Sequence, residues 1–242
     1  MFAFRRLTDD DLLLDSSPLM RALDFLKHQF DQNPKGIPLT KSGAFRRAMV
    51  AEAITTIHWP DWTEQEIYHG FMPIKVADEH HFEPLWRLHW ILRDMRLVRP
   101  YRGHLRITKI GTAMFSGRFQ VFDAVARETI FEALHFKYAR EDRALMGNWD
   151  IWLNVIDIEA QHGISGQDLT EVLYGPLEVG HAFDPRTSAL YNGVLTPLVW
   201  TGLLQEDMSQ GRKLSDRIYM ITPLWRRYLE LDPKQPRLRV VH

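Results

Sequence analysis

The stretch from Leu97 to Met114 constrains this chain most. It reads Leu-Val-Arg-Pro-Tyr-Arg-Gly-His-Leu-Arg-Ile-Thr-Lys-Ile-Gly-Thr-Ala-Met. Two short β-prone runs flank an Arg102-Gly103 turn, a helical pattern leads in, and Thr108 and Gly111 lead out. The same junction returns between Val199 and Tyr228. There Gly202-Leu203-Leu204-Gln205 is followed by a polar turn, Ser209-Gln210-Gly211-Arg212-Lys213, and then by Ile218-Tyr219-Met220-Ile221-Thr222. A helix feeding a hairpin, twice in one chain, predicts two like units rather than one large domain.

The elements before each hairpin support the repeat. Leu19, Leu23, Leu26 and Phe30 mark a helix from Pro18 that stops at Asn33-Pro34-Lys35-Gly36. Phe45, Met49, Ala53 and Ile57 mark a second, ended by Trp59-Pro60. Thr63 and Glu66 have the spacing of a capping box and open a short helix. A long helix is predicted from Glu79 to Met95, with Phe82, Leu85, Trp86, His89 and Leu92 on one face. From Gln120 the order repeats. Val121, Val125, Ile130, Leu134 and Tyr138 mark a helix, and Asn148 caps another that carries Trp152 and Ile156. Ser165 with Asp168 reads as the second capping box, matched to Thr63. A last helix over 188–201, broken or kinked at Pro197, precedes the second hairpin.

Helices in this order, each set closed by a β-hairpin, resemble the winged-helix superfamily in tandem. The fold class expected is mainly α with small β-hairpins (α+β), as two winged-helix-like repeats. An acidic leader covers 1–17, the first repeat 18–117, the second 118–230 and a tail 231–242. Bacterial members of the superfamily are most often DNA-binding regulators, and others are protein-interaction modules, so the resemblance implies a binding protein.

Composition narrows the classes. Apolar residues are 45% and charged residues 25% of the chain, the balance of an ordinary globular protein. The formal net charge of −1 argues against a protein that coats nucleic acid over its whole surface, though not against a local basic patch. With no cysteine, disulfides, thiolate metal sites and cysteine nucleophiles are excluded. The opening residues run into acid without a signal-peptide core, and no apolar run approaches the roughly 20 residues of a membrane span. These features predict a cytoplasmic protein that does not enter the membrane. No nucleophile elbow, phosphate loop or dinucleotide fingerprint is present, so no catalytic residue and no cofactor are expected. Eleven histidines include the pair His80-His81, but helical neighbours point about 100° apart. No metal is expected, and His89 reads as a hydrogen-bonded core residue.

The sharpest functional signal is a basic cluster on the first helix–hairpin junction: Arg87, Arg93, Arg96, Arg99, Arg102, Arg106 and Lys109, with His104 among them. In helix-turn-helix relatives the helix before the wing and the wing itself meet DNA. Two readings are open. Either these cations contact phosphate, or they form a solvated face paired with carboxylates. The second half differs, because no charged residue occurs between Thr187 and Gln205. A helix without Lys or Arg forgoes counterion release. It reads as core or as a protein interface, and its Leu190, Val194 and Trp200 are candidate contacts for a protein partner or a second copy of the chain, while Arg212, Lys213 and Arg217 on its wing could still touch phosphate.

Overall fold

The computed structural model describes residues 1–60, 62–70, 72–133, 147–176, 185–211 and 213–232. Its backbone contacts separate two units: Thr8–Glu128 is the first, and Met1–Leu7 joins Thr129–His242 in the second. The leader expected over 1–17 is therefore divided between them. Strand β1 (Phe2–Phe4) pairs antiparallel with Leu229–Leu231, Phe2 opposite Leu231 and Phe4 opposite Leu229. Phe4 also meets the Tyr228 ring at 4.9 Å and the Phe131 ring at 5.8 Å. Asp11 caps a 3-10 turn at Leu12–Ser16 by accepting the Leu13 N–H, and the turn buries Leu14 in the first unit.

The first unit is mixed helix and small antiparallel sheet. Ser17 accepts the Met20 N–H and Pro18 fills the first turn of α1 (Pro18–Gln32). Strand β2 (Ile37–Pro38) follows, then α2 (Arg47–Ile57) and the short α3 (Glu64–His69), capped by Thr63. Arg21 of α1 donates to the carbonyls of Ile57 and His58 at 2.8 and 3.0 Å, closing the end of α2 where His58 turns left-handed. The helix expected over 79–95 is two pieces, a 3-10 turn at Glu79–His81 and α4 (Glu83–Asp94). Asp78 caps the turn, Phe82 leaves helical geometry, and Pro84 starts the next helix afresh. Strands β3 (Val98–Tyr101) and β4 (His104–Ile107) form the hairpin, and β4 lies between β3 and β2 in a three-stranded sheet. Helices α5 (Lys109–Met114) and α6 (Arg118–Glu128) complete the unit. Arg118 pairs with Asp15 and Asp24, and the Phe119 N–H donates to Asp9 at 2.7 Å. These bonds hold α6 in the first unit, so the division falls after Glu128 rather than after Gly117.

The second unit repeats the sheet. Described elements are α7 (Trp149–Glu159), β5 (Ile164–Ser165), α8 (Gly166–Tyr174), α9 (Pro185–Leu190), α10 (Thr196–Trp200), β6 (Leu204–Asp207), β7 (Ile218–Ile221), α11 (Pro223–Tyr228) and β8 (Leu229–Leu231). The strand order is β5-β7-β6, matching β2-β4-β3. Ser165 caps α8 directly after β5, accepting the Asp168 N–H at 3.0 Å. By position α8 thus answers to α2, which follows β2, and not to α3. The two caps matched in sequence are not equivalent, and α3 has no counterpart among the described residues. The helix expected over 188–201 is interrupted by a π turn at Tyr191–Leu195, just before Pro197. A proline offers no N–H and its ring crowds the carbonyl one turn earlier, so the regular ladder cannot run through it. The helix expected to reach Leu134 and Tyr138 runs outside the described residues, as does the tail from 233.

The uncharged stretch lies largely in the interior, with Asn192 and Gln205 exposed. Leu190 and Val194 are 0% exposed and Trp200 is 5% exposed. This corrects the expectation of a partner surface at these three residues. Their stretch lacks charge because it fills the core, where an unpaired charge would be costly.

Candidate nucleic-acid interface

The first hairpin is shaped by a two-residue turn. Arg102 and Gly103 both have positive φ, 48° and 75°, the geometry that matches the twist of two paired strands. Register then sets the faces. Val98 opposes Ile107 and Pro100 opposes Leu105, while Arg99 opposes Arg106 and Tyr101 opposes His104. Val98 and Leu105 are buried, so the alternate set faces away from the core. One face of a short ribbon therefore carries Arg99, Tyr101, His104 and Arg106, with Arg102 at its tip.

These side chains converge on one ring. The guanidinium carbons of Arg99, Arg102 and Arg106 lie 5.4, 5.2 and 4.6 Å from the Tyr101 ring centre. Each contact of this kind contributes about 0.5–1 kcal/mol at an exposed site. Among the described residues no carboxylate forms an ion pair with any of the three. Arg106 also donates through Nε to the Lys35 carbonyl at 3.0 Å, which brings exposed Lys35 beside the cluster. That approach depends on Gly36. Its φ is 100°, and a Cβ there would stand 2.6 Å from the Leu105 carbonyl oxygen.

The other expected cations are placed differently. Arg87 forms an ion pair with Glu83 one turn earlier on α4. Arg93 lies over the Trp90 ring at 4.5 Å, and Trp90 is 42% exposed. Arg96 is exposed and left-handed, with φ 58°. Lys109 is exposed on the first turn of α5. Three of the seven expected residues, Arg99, Arg102 and Arg106, thus meet at one point. Tyr101 and Lys35 were not foreseen. Tyr101 could have been found by alternation, since counting outward from the Arg102-Gly103 turn puts Arg99, Tyr101, His104 and Arg106 on one face. Nothing local in the sequence places Lys35.

The second hairpin treats its charge in the opposite way. The Glu206 side chain on β6 is completely buried, and its Oε1 accepts from Arg217 Nη1 at 2.9 Å and from the Tyr219 hydroxyl at 2.8 Å. Arg217 also donates to the Tyr191 hydroxyl at 3.0 Å. Burial, reinforced by Glu206, pushes the Tyr219 hydroxyl well above its usual pKa and keeps it a donor. Arg217 therefore belongs to a buried network with Glu206 and Tyr191, which corrects its reading as a phosphate contact. Lys213 is exposed, and Arg212 lies outside the described residues.

A second buried pair sits behind α4. His89 Nδ1 lies 2.6 Å from Glu79 Oε1, the other carboxylate oxygen accepts the Phe45 N–H at 2.6 Å, and the Phe45 ring stacks on the imidazole. Both groups are almost wholly buried, and the pair fastens α4 to the start of the α2 segment. Among the described residues no group of three or more histidines and carboxylates could hold a metal ion. No helix among them is long and apolar enough to cross a membrane.

Comparison with known proteins agrees with this division. The Y4jL N-terminal domain model matches residues 15–120 and the y4jL C-terminal domain model matches residues 139–223. The uncharacterized protein y4jL of Sinorhizobium fredii (strain NBRC 101917 / NGR234) is 31% identical over 170 residues, 70% of this chain and 76% of that protein. The chain belongs to the y4jL family. Within this y4jL-family chain the N-terminal match falls inside the first unit and the C-terminal match inside the second. No solved structure matches the chain.

Proposed function

We propose that this chain is a pair of winged-helix-like units that binds double-stranded nucleic acid through hairpin β3–β4 of the first unit, as a cytoplasmic binding protein and not an enzyme. The winged-helix reading is supported by the repeated layout. In each unit a short strand follows a helix and later pairs with the second strand of a hairpin, which a longer helical segment feeds. The absence of cysteine is consistent with a reducing compartment.

The observation that carries the nucleic-acid reading is the cluster at Tyr101, where three guanidiniums meet with no carboxylate partner among the described residues. Like charges set directly across a ribbon are destabilising, so Arg99 opposite Arg106 is an arrangement that stability alone does not favour. The backbone points the same way. Arg96 and Arg102 both occupy the left-handed region, where a glycine would be less strained. Arginine in such positions is explained by a need for its side chain.

The test is anisotropy with a fluorescent mixed-sequence duplex across a salt series. Binding is expected to weaken steeply as salt rises. The double change Arg102→Glu and Arg106→Glu should lower affinity about a hundredfold, some 2.7 kcal/mol, with the fold intact by circular dichroism. Unchanged affinity in that variant would end the reading.

A further inference from the structure

We infer that Tyr101 is the positioning residue of this interface, gathering Arg99, Arg102 and Arg106 into one anion cradle that takes the phosphodiester backbone and not a stacked base. The inference rests on the nucleic-acid reading above and specifies what the site grips.

Arg99 and Arg106 stand directly opposite each other and share their face with Tyr101. Left alone, their charges would drive the two side chains apart. A carboxylate between them would hold them together but would cancel the charge an anion needs. An aromatic ring attracts cations through its quadrupole and carries no net charge. Cations gathered on Tyr101 therefore keep their full charge. Arg106 is fixed a second time by its Nε bond to the Lys35 carbonyl, which leaves its terminal amino groups as donors. Planar guanidinium forks suit the paired oxygens of a phosphate. The same geometry disfavours base stacking on Tyr101, because its ring already serves three cations. Tyr101 is 36% exposed and lies at the strand end beside the turn, so its removal need not disturb the core.

The experiment compares wild type, Tyr101→Phe and Tyr101→Leu on one duplex and on its single strand, across a salt series. Tyr101→Phe keeps the ring and should bind within about twofold of wild type. Tyr101→Leu should weaken duplex binding about fivefold, and the slope of log affinity against log salt should flatten by about one contact. A purely structural role would lower the melting temperature without flattening that slope. If Tyr101→Leu loosens the hairpin, Tyr101→Thr, a good strand former, supplies the same measurement. Wild-type affinity and slope in the ringless variants, with wild type itself binding, would overturn the inference while leaving the nucleic-acid reading standing. A single-strand preference of about tenfold or more that the ringless variants lose would make the ring a stacking platform and overturn it as well. No duplex binding by wild type at low salt would remove both.

Discussion

The two hairpins share a frame and differ in what they do with charge. Each is entered by a leucine whose N–H bonds back into the preceding helix: Leu97 to the Leu92 carbonyl, Leu203 to the Leu198 carbonyl, at 2.9 and 2.8 Å. Each is closed by a threonine whose hydroxyl donates across the strand ends and caps the next helix. Thr108 reaches the Arg96 carbonyl at 2.8 Å and Thr222 the Gly202 carbonyl at 2.7 Å. On this common frame the first hairpin carries three guanidiniums on a tyrosine, and the second buries a carboxylate that locks its arginine. Glu206 lies on the core-facing side of its hairpin opposite Tyr219, where the first hairpin has Pro100 opposite Leu105. An arginine is available to an anion only where no buried carboxylate already holds it.

That contrast can be broken from either side. The largest effect is expected at Arg217→Met. It strands the buried Glu206 without its cation and should cost about 3 kcal/mol of stability, read by denaturant unfolding, with duplex affinity unchanged. Gly36→Ala comes next. The new methyl meets the Leu105 carbonyl at a strained φ, and a loss of about 2 kcal/mol is expected, with weaker binding because Lys35 moves away from Arg106. Arg99→Glu sets a carboxylate directly opposite Arg106 on the exposed face. Duplex affinity should fall about tenfold, or 1.4 kcal/mol, at unchanged or slightly raised stability. The smallest effect is at Arg96→Gly, which copies Gly202 of the second hairpin. Relief of the left-handed strain should raise stability by about 0.5 kcal/mol while affinity drops about threefold. A variant that gained stability without losing affinity would show that Arg96 is not retained for its side chain.

Much of the fold was legible because its signals are local. Thr63, Asn148 and Ser165 all cap helices as their types require. The two turns and their flanking β-prone runs announced both hairpins. The failures were failures of context. The uncharged run through Leu190, Val194 and Trp200 could be core or exposed contact surface by composition alone, and only packing shows it to be core. The match of Thr63 to Ser165 failed because strands of two residues, such as β2 and β5, leave no periodicity to read, yet they set the true register of the repeat.

What the sequence determined by itself is the class of the main helices and of the two hairpins, and the presence of a basic hairpin, since caps, turns and alternation act within a few residues. Tertiary structure decided the rest. It placed β1 against β8 across 225 residues or more, brought the Lys35 carbonyl to Arg106 across 71, and buried Glu206 beside Arg217. The reason is physical. A charge has no fate in a sequence: its worth depends on burial and on which partner the fold sets beside it, and both are fixed only when distant segments pack.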